Sequence, residues 1–198
     1  SRVVATGLDG TVRTLIPYTS LSGSHKLFAA TDAGVYDVTN TVSSPAIAHT
    51  LISGSVNFVQ FSNPAGNFLV CANSSTDPTF YYDGTAFHQF TMVAPGTIGA
   101  GMIWGVDPTT FDKVTTAKHR LWFTQANSMT AWYLPLDSLG GEATPFYLGG
   151  IFKQGGYLYE IATWSLDSGA GLDDLTVFIS SNGEVAVYTG SDPDDAAT

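Results

Sequence analysis

The sequence predicts an all-β protein, a β-propeller-like array of about four antiparallel meander units, and three observations carry that prediction. One pattern recurs along the chain: an apolar strand, a turn of Gly, Asn or Asp, then a second strand carrying aromatic residues. These hairpins begin near residues 27, 68, 119 and 175, spaced by 41, 51 and 56 residues, close to the repeat of roughly 40 to 50 residues that blades use. Helix signals are thin, because Gly, Pro and Ser interrupt almost every window that could hold a helical apolar period, and Ser44 to Ile52 is the best short exception. The acids agree, with fourteen Asp against three Glu, since Asp favours turns and caps where Glu favours helix interiors.

Taken in order, the first hairpin is Leu27 to Val38, with its turn at Asp32 to Gly34. The second runs from Asn67 through the turn Asn73 to Pro78 into an aromatic strand that ends at Asp83-Gly84. Next come His119 to Gln125, the turn Ala126 to Ser128 and Met129 to Leu134. The fourth, Leu175 to Tyr188, turns at Asn182-Gly183, the strongest short hairpin signal, because both central residues of a type I′ turn need positive φ. Upstream of each lies another β-prone run: Thr11 to Tyr18, Val56 to Phe61, Met102 to Val106 and Tyr157 to Trp164. Fourth strands are expected at Phe87 to Met92 and Phe146 to Phe152. Together these give one all-β domain with repeats at about 11–40, 56–92, 101–136 and 146–190. A β-sandwich is the alternative, although two opposed layers have no reason to repeat a hairpin at this period. The chain stops soon after its last hairpin, which suggests a fragment of a larger propeller with an exposed edge.

Composition narrows the function. Apolar residues make up 44% and aromatics 13%, ample for a packed core. Charged residues are only 12%, about half the usual share, so Ser, Thr, Asn, Gly and Tyr form much of the surface. A net charge of −10 opposes tight nucleic-acid binding, because phosphates are repelled. The longest apolar stretch, Ile98 to Val106, is too short to span a bilayer, and the N-terminus shows no signal-peptide pattern, so no membrane partner and synthesis in the cytoplasm are expected. Cys71 is the single cysteine, set in the apolar run Phe68 to Ala72, and reads as a core thiol.

Signatures of catalysis are missing: there is no Gly-x-Ser-x-Gly elbow, phosphate loop, His-Glu-x-x-His pair or Cys-x-x-Cys pair. Histidines 25, 49, 88 and 119 are scattered without metal-ligand spacing. Ser24, His25 and Asp32 have the residue types of a nucleophilic triad, yet neighbours on a strand point to opposite faces. The densest acidic segment offers Asp167, Asp173 and Asp174 around a Gly-rich loop, a weak Ca²⁺ candidate that lacks the EF-hand alternation and reads more simply as an inter-strand turn. Tyr81, Tyr82, Trp104, Trp122, Trp132, Tyr133 and Trp164 would suit sugar stacking, but adjacent pairs such as Tyr81-Tyr82 and Trp132-Tyr133 must face opposite sides of a strand, which favours packing between sheets. The expectation is no enzyme, no cofactor and no resident metal.

One stretch carries a resemblance. Residues 147–193, including Tyr147-Leu-Gly-Gly-Ile-Phe-Lys-Gln-Gly-Gly-Tyr-Leu-Tyr-Glu-Ile-Ala-Thr-Trp and Leu175-Thr-Val-Phe-Ile-Ser-Ser-Asn-Gly-Glu-Val-Ala-Val-Tyr, resemble tailed-bacteriophage and prophage virion proteins. The nearest likeness is to the propeller-like tail hub, or nozzle, of short-tailed phages. That resemblance implies a structural subunit of the virion, contacts with other virion proteins, a homo-oligomeric ring around a DNA channel, and no catalytic residues. An acidic lumen would fit such a channel by letting DNA slide. The competing class is a glycan-binding or glycan-cleaving propeller, drawn from the aromatics and the Asp-rich loop.

Overall fold

The computed structural model describes residues 5–40, 42–74, 77–167, 172–190 and 192–193, with the side chains of 42, 166, 167 and 172–174 outside that description. Four antiparallel sheets follow one another, each a meander in which sequence neighbours pair. Sheet I contains Thr14–Thr19, His25–Thr31, Gly34–Asp37 and Ile47–Thr50. Asn57–Asn63, Gly66–Asn73, Asp77–Tyr82 and Phe87–Gln89 build sheet II, and Phe111–Ala117, Arg120–Gln125, Thr130–Tyr133 and Thr144–Tyr147 build sheet III. Sheet IV has three strands, Leu158–Asp167, Leu172–Ser180 and Val185–Tyr188. None of the sheets closes on itself. Two small parallel sheets are added: Ala5–Thr6 beside Val42–Ser43, and Met102–Trp104 between Thr91–Met92 and Gly141–Glu142. Among the described residues the helical content is one 3₁₀ turn, Pro108–Thr110, whose first turn is capped by the Asp107 carboxylate accepting the Thr109 N–H at 2.9 Å.

Alternation along each strand sends side chains to two faces, and both faces of the middle sheets are buried. Between sheets I and II, Ile16, Tyr18 and Phe28 meet Leu69, Phe80 and Tyr82. The rings interlock edge to face, with Tyr18–Tyr82 centroids 5.1 Å apart and Phe28–Tyr82 5.0 Å apart. The opposite face of sheet II sends Phe61, Phe68, Val70 and Tyr81 into a second core with Val114, Leu121 and Phe123 of sheet III, closed over by Phe90, Ile103 and Leu139. A third core joins Trp122, Ala131 and Tyr133 of sheet III to Ile161 and Phe178 of sheet IV. Each fully buried aromatic or aliphatic side chain contributes about 1.5–3 kcal/mol, so the cores between sheets stabilise the array. Adjacent aromatics accordingly divide between cores, Tyr81 with sheet III and Tyr82 with sheet I, Trp132 with sheet II and Tyr133 with sheet IV. No hairpin is interleaved with a distant one, which is what a two-layer sandwich would need.

Side-chain bonds join the first strands of successive sheets. Thr19 donates its N–H to Gln60 Oε1 at 2.8 Å, Val114 its N–H to Asn57 Oδ1 at 2.8 Å, and Lys113 Nζ meets Glu160 Oε2 at 2.8 Å. A buried carboxylate ties the link between sheets I and II: Asp77 accepts the Ile52 N–H at 2.8 Å and the Asn73 amide at 2.6 Å.

Several strand expectations require correction. Met102 to Val106 does not open the third unit; Met102–Trp104 lies in a parallel sheet, and sheet III begins at Phe111–Ala117. Gly101 and Gly105, at φ +71° and +99°, bracket the short run and let it approach the Tyr81 ring and the Ala143 carbonyl. Ser44 to Ile52 holds the fourth strand of sheet I, Ile47–Thr50, because pairing with Gly34–Tyr36 overrides a weak helical spacing. Phe87 to Met92 splits into a sheet II strand and a parallel strand, while only Phe146 and Tyr147 of the run Phe146 to Phe152 are strand, both in sheet III. The Asn182-Gly183 hairpin forms, yet only Gly183 has positive φ, at +84°. Ser180 accepts the Gly183 N–H and donates its own N–H to Glu184, so the loop has three residues with glycine in the left-handed region instead of a two-residue type I′ turn.

Candidate functional site

The residue types that hinted at nucleophilic chemistry are held apart. His25 opens its strand and bonds through Nδ1 to the Thr19 hydroxyl at 3.0 Å, while the Ser24 hydroxyl lies 3.4 Å from that of Ser22. Asp32 lies beyond the far end of the same strand, about 20 Å away at a rise of roughly 3.3 Å per residue. There it takes Arg13 in a two-point ion pair, at 2.7 and 2.6 Å, and accepts the Gly54 N–H at 2.9 Å. Those partners, Arg13 first, hold its carboxyl below the ordinary carboxylate range. A Cβ on Gly54 would come within 2.7 Å of the Thr31 backbone, so only glycine permits this close crossing from sheet I to sheet II. Cys71 is fully buried and burial pushes its thiol up, which removes thiolate chemistry at neutral pH.

The histidines have separate neighbours. His88 Nε2 sits 2.9 Å from Asp83, His119 lies 3.6 Å from Asp137, and His49 stacks on Phe80 with centroids 4.3 Å apart. Among the described residues no group of three His, Cys, Asp or Glu side chains could hold a metal. The Ca²⁺ candidate falls largely outside that description: the backbone places Asp167 at the end of one strand and Asp173 and Asp174 at the start of the next, but residues 168–171 and all three carboxylates lie outside the described residues.

Two of the open clefts lie at opposite ends of the first strands. One, of about 350 Å³, follows the ends of the first strands and is lined by Gln60, Ser62, Thr116, Lys118, His119 and Thr163. No carboxylate lines it among the described residues, so the acidic surplus expected for a lumen is not concentrated along this groove. The other, about 390 Å³, lies at the opposite end and brings Tyr157 and Tyr159 beside Asp112, Lys113 and Asn127, with Lys113 Nζ 3.7 Å from the Tyr159 ring centre.

A larger feature is the distal face of sheet IV. Ile161, Phe178, Ala186 and Tyr188 point toward sheet III. By alternation and register, Ala162, Val177 and Val187 share the opposite face, joined by Trp164, Ile179 and Val185. No further sheet covers them among the described residues, and Trp164, Val185 and Val187 are 52%, 62% and 45% exposed. Trp164 therefore does not pack between sheets as expected, whereas Tyr81, Tyr82, Trp122 and Tyr133 do. The sequence signal for this face is that Val185 to Tyr188, one half of the last hairpin, is apolar at every position, and such a strand has both faces to bury. No protein-family model, curated protein or solved structure matches the chain.

Proposed function

We infer that this chain is a non-enzymatic structural subunit of a phage or prophage tail or head–tail assembly, acting through protein–protein contacts, with its four sheets as successive blades of a propeller-like array. The observation that carries this reading is the distal face of sheet IV, where Trp164, Val185 and Val187 stand in solvent. Apolar rows of this kind are the chemistry that joins the sheets inside the chain, and large apolar patches on a protein surface mark contact sites. Meanders joined through their first strands support the blade assignment, and the resemblance of residues 147–193 supports the virion setting, with other virion proteins and further copies of the chain as partners. Synthesis in the bacterial cytoplasm precedes incorporation into the virion. An acidic lumen is not required by this reading. Light scattering after size-exclusion chromatography tests it. A discrete oligomer that Val187→Lys dissociates is the expected result, and a monomer at every concentration sinks the reading.

A glycan-binding or glycan-cleaving propeller is the second reading, favoured by the cleft of Tyr157 and Tyr159 beside Asp112 and Asn127, where rings stack on sugars and amide and carboxylate groups bond hydroxyls. A glycan array and a hydrolase panel would read it out; saturable binding lost in Tyr157→Ala would favour it over the structural role.

A further inference from the structure

Sheets I, II and III each have four strands, whereas sheet IV has three among the described residues. Its third strand, Val185–Tyr188, pairs with Leu172–Ser180 on one side only. The register shows which backbone groups are left over. Because Ser180 donates its N–H to the Glu184 carbonyl at 2.9 Å, hydrogen-bonded pairs fall at every second position, at Phe178/Ala186 and Thr176/Tyr188. Val185 and Val187 occupy the alternate pairs, so their N–H and C=O groups face outward, away from the sheet. The same two residues carry the exposed side chains of the distal face. Open backbone groups and bare apolar side chains thus coincide on one strand.

Edge strands are normally blunted by Lys, Pro or a bulge. Val-Ala-Val-Tyr has none of these, and its pairing with the neighbouring strand runs without a register shift. Glu184, the nearest charge in sequence, is committed elsewhere: its carboxylate accepts the Lys153 N–H at 3.0 Å and the Gln154 N–H at 2.8 Å. Three precedents in the chain define the missing element. The fourth strands Ile47–Thr50, Phe87–Gln89 and Thr144–Tyr147 have three or four residues, run antiparallel to the third strand, and bring a ring into the neighbouring core. Phe146, for example, stacks on Phe178 with centroids 5.3 Å apart.

We propose that the outward edge of Val185–Tyr188 is a strand-addition site, which takes a short extended segment of a partner polypeptide as the fourth strand of sheet IV. The segment runs antiparallel to Val185–Tyr188 and carries apolar residues on alternate positions, one set extending the Val185/Val187 face and the other a ring beside Tyr188. Main-chain bonds supply affinity and the two faces supply selectivity, as in other β-augmentation sites. This rests on the reading of the chain as a protein-contact subunit. Its test is separate, since peptide capture can fail while the chain still assembles through other surfaces.

The probe is a fluorescein-labelled peptide with the sequence of residues 45–52, the chain's own fourth strand from sheet I, titrated onto the whole chain by fluorescence anisotropy. Saturable binding is expected, and hydrogen exchange at the Val185 and Val187 amides slows while Ala186 and Tyr188, already bonded inward, are unchanged. Val187→Pro removes only an outward N–H, a change that edge strands accept, so it should keep the fold and weaken binding by roughly tenfold or more. Should that variant melt early, Val187→Lys leaves the backbone intact and places an ammonium on the face that a docked strand covers. Absence of saturable binding to the unsubstituted chain, binding unchanged in the variants, or protection appearing away from residues 185–187 would each overturn the proposal.

Discussion

The two ends of the sheet array present the same kind of surface and treat it differently. On the outer face of sheet I, Ala29, Tyr36 and Val38 are buried because Ala5, Leu8 and Leu27 pack against them, and the pairing of Ala5–Thr6 with Val42–Ser43 holds that segment in place. Only the margin of this face is open, at Leu15 and Ile47. Sheet IV has no such cover among the described residues, and Val185, Val187 and Trp164 remain in solvent. The comparison teaches that a few residues folded over an apolar sheet can finish one end of a stack, so the bare end marks a place where something outside the described chain would be stabilised.

The comparison breaks hardest at a buried interface. Phe80 touches nothing but the core between sheets I and II, meeting Phe87, His49 and neighbouring aliphatic groups, and it is fully buried. Phe80→Ala should cost about 3–5 kcal/mol in urea unfolding, whereas Trp164→Ala on the bare face should change stability by less than about 1 kcal/mol. Equal costs would mean that Trp164 is already covered. The capped end sharpens the comparison in the other direction. The Tyr36 hydroxyl is buried there without a hydrogen-bond partner, and such a group carries an uncompensated desolvation cost. Tyr36→Phe is therefore expected to raise stability by about 1 kcal/mol, measured by the same unfolding curves; a loss of stability would reveal a partner for the hydroxyl.

Much of this fold was legible because strand faces alternate. Tyr81-Tyr82 and Trp132-Tyr133 announced sheets buried on both sides, and the structure divides each pair between two cores. Phe111–Ala117 was not legible: Phe-Asp-Lys-Val-Thr-Thr-Ala carries two charges, and its strand character comes from pairing with Arg120–Gln125 and from Val114 and Phe111 reaching the core. The turn Asn182-Gly183 gave the hairpin but not its loop, since Ser181 donates its N–H to the Tyr157 carbonyl at 2.8 Å and Ser180 is the residue that pairs with Glu184, which leaves Ser181 in the loop. As for the site, an exposed edge after the last hairpin was expected and the all-apolar Val185–Tyr188 signals two faces to bury, but which face stays bare could not be read from local pattern, because exposure depends on what else packs there. Ser24, His25 and Asp32 failed for a related reason: nearness in sequence along an extended strand is distance in space.

The smallest expected effect separates the interior of the array from its ends by pH. His49, on the fourth strand of sheet I, lies against Phe80 and Phe87 with centroids 4.3 and 5.6 Å away. Burial is the larger influence and lowers its pKa, with nearby Asp77 acting weakly in the opposite sense. A histidine whose folded pKa lies below its unfolded value of about 6.5 binds fewer protons folded than unfolded, so stability rises with pH across that interval. Acidification through about pH 6.5 therefore destabilises the junction of sheets I and II, and the loss levels off below the folded pKa. Asp32, Asp37 and Asp83 have lowered pKa values, and their contributions disappear only at much lower pH, as each carboxylate takes up a proton below about 3.9, which keeps the two windows apart. Melting temperature followed between neutral pH and about pH 5 should fall in the unsubstituted chain, and His49→Phe should remove that slope. A slope that persists in His49→Phe would place the titrating group elsewhere, and the junction between sheets I and II would then be indifferent to proton uptake in that range.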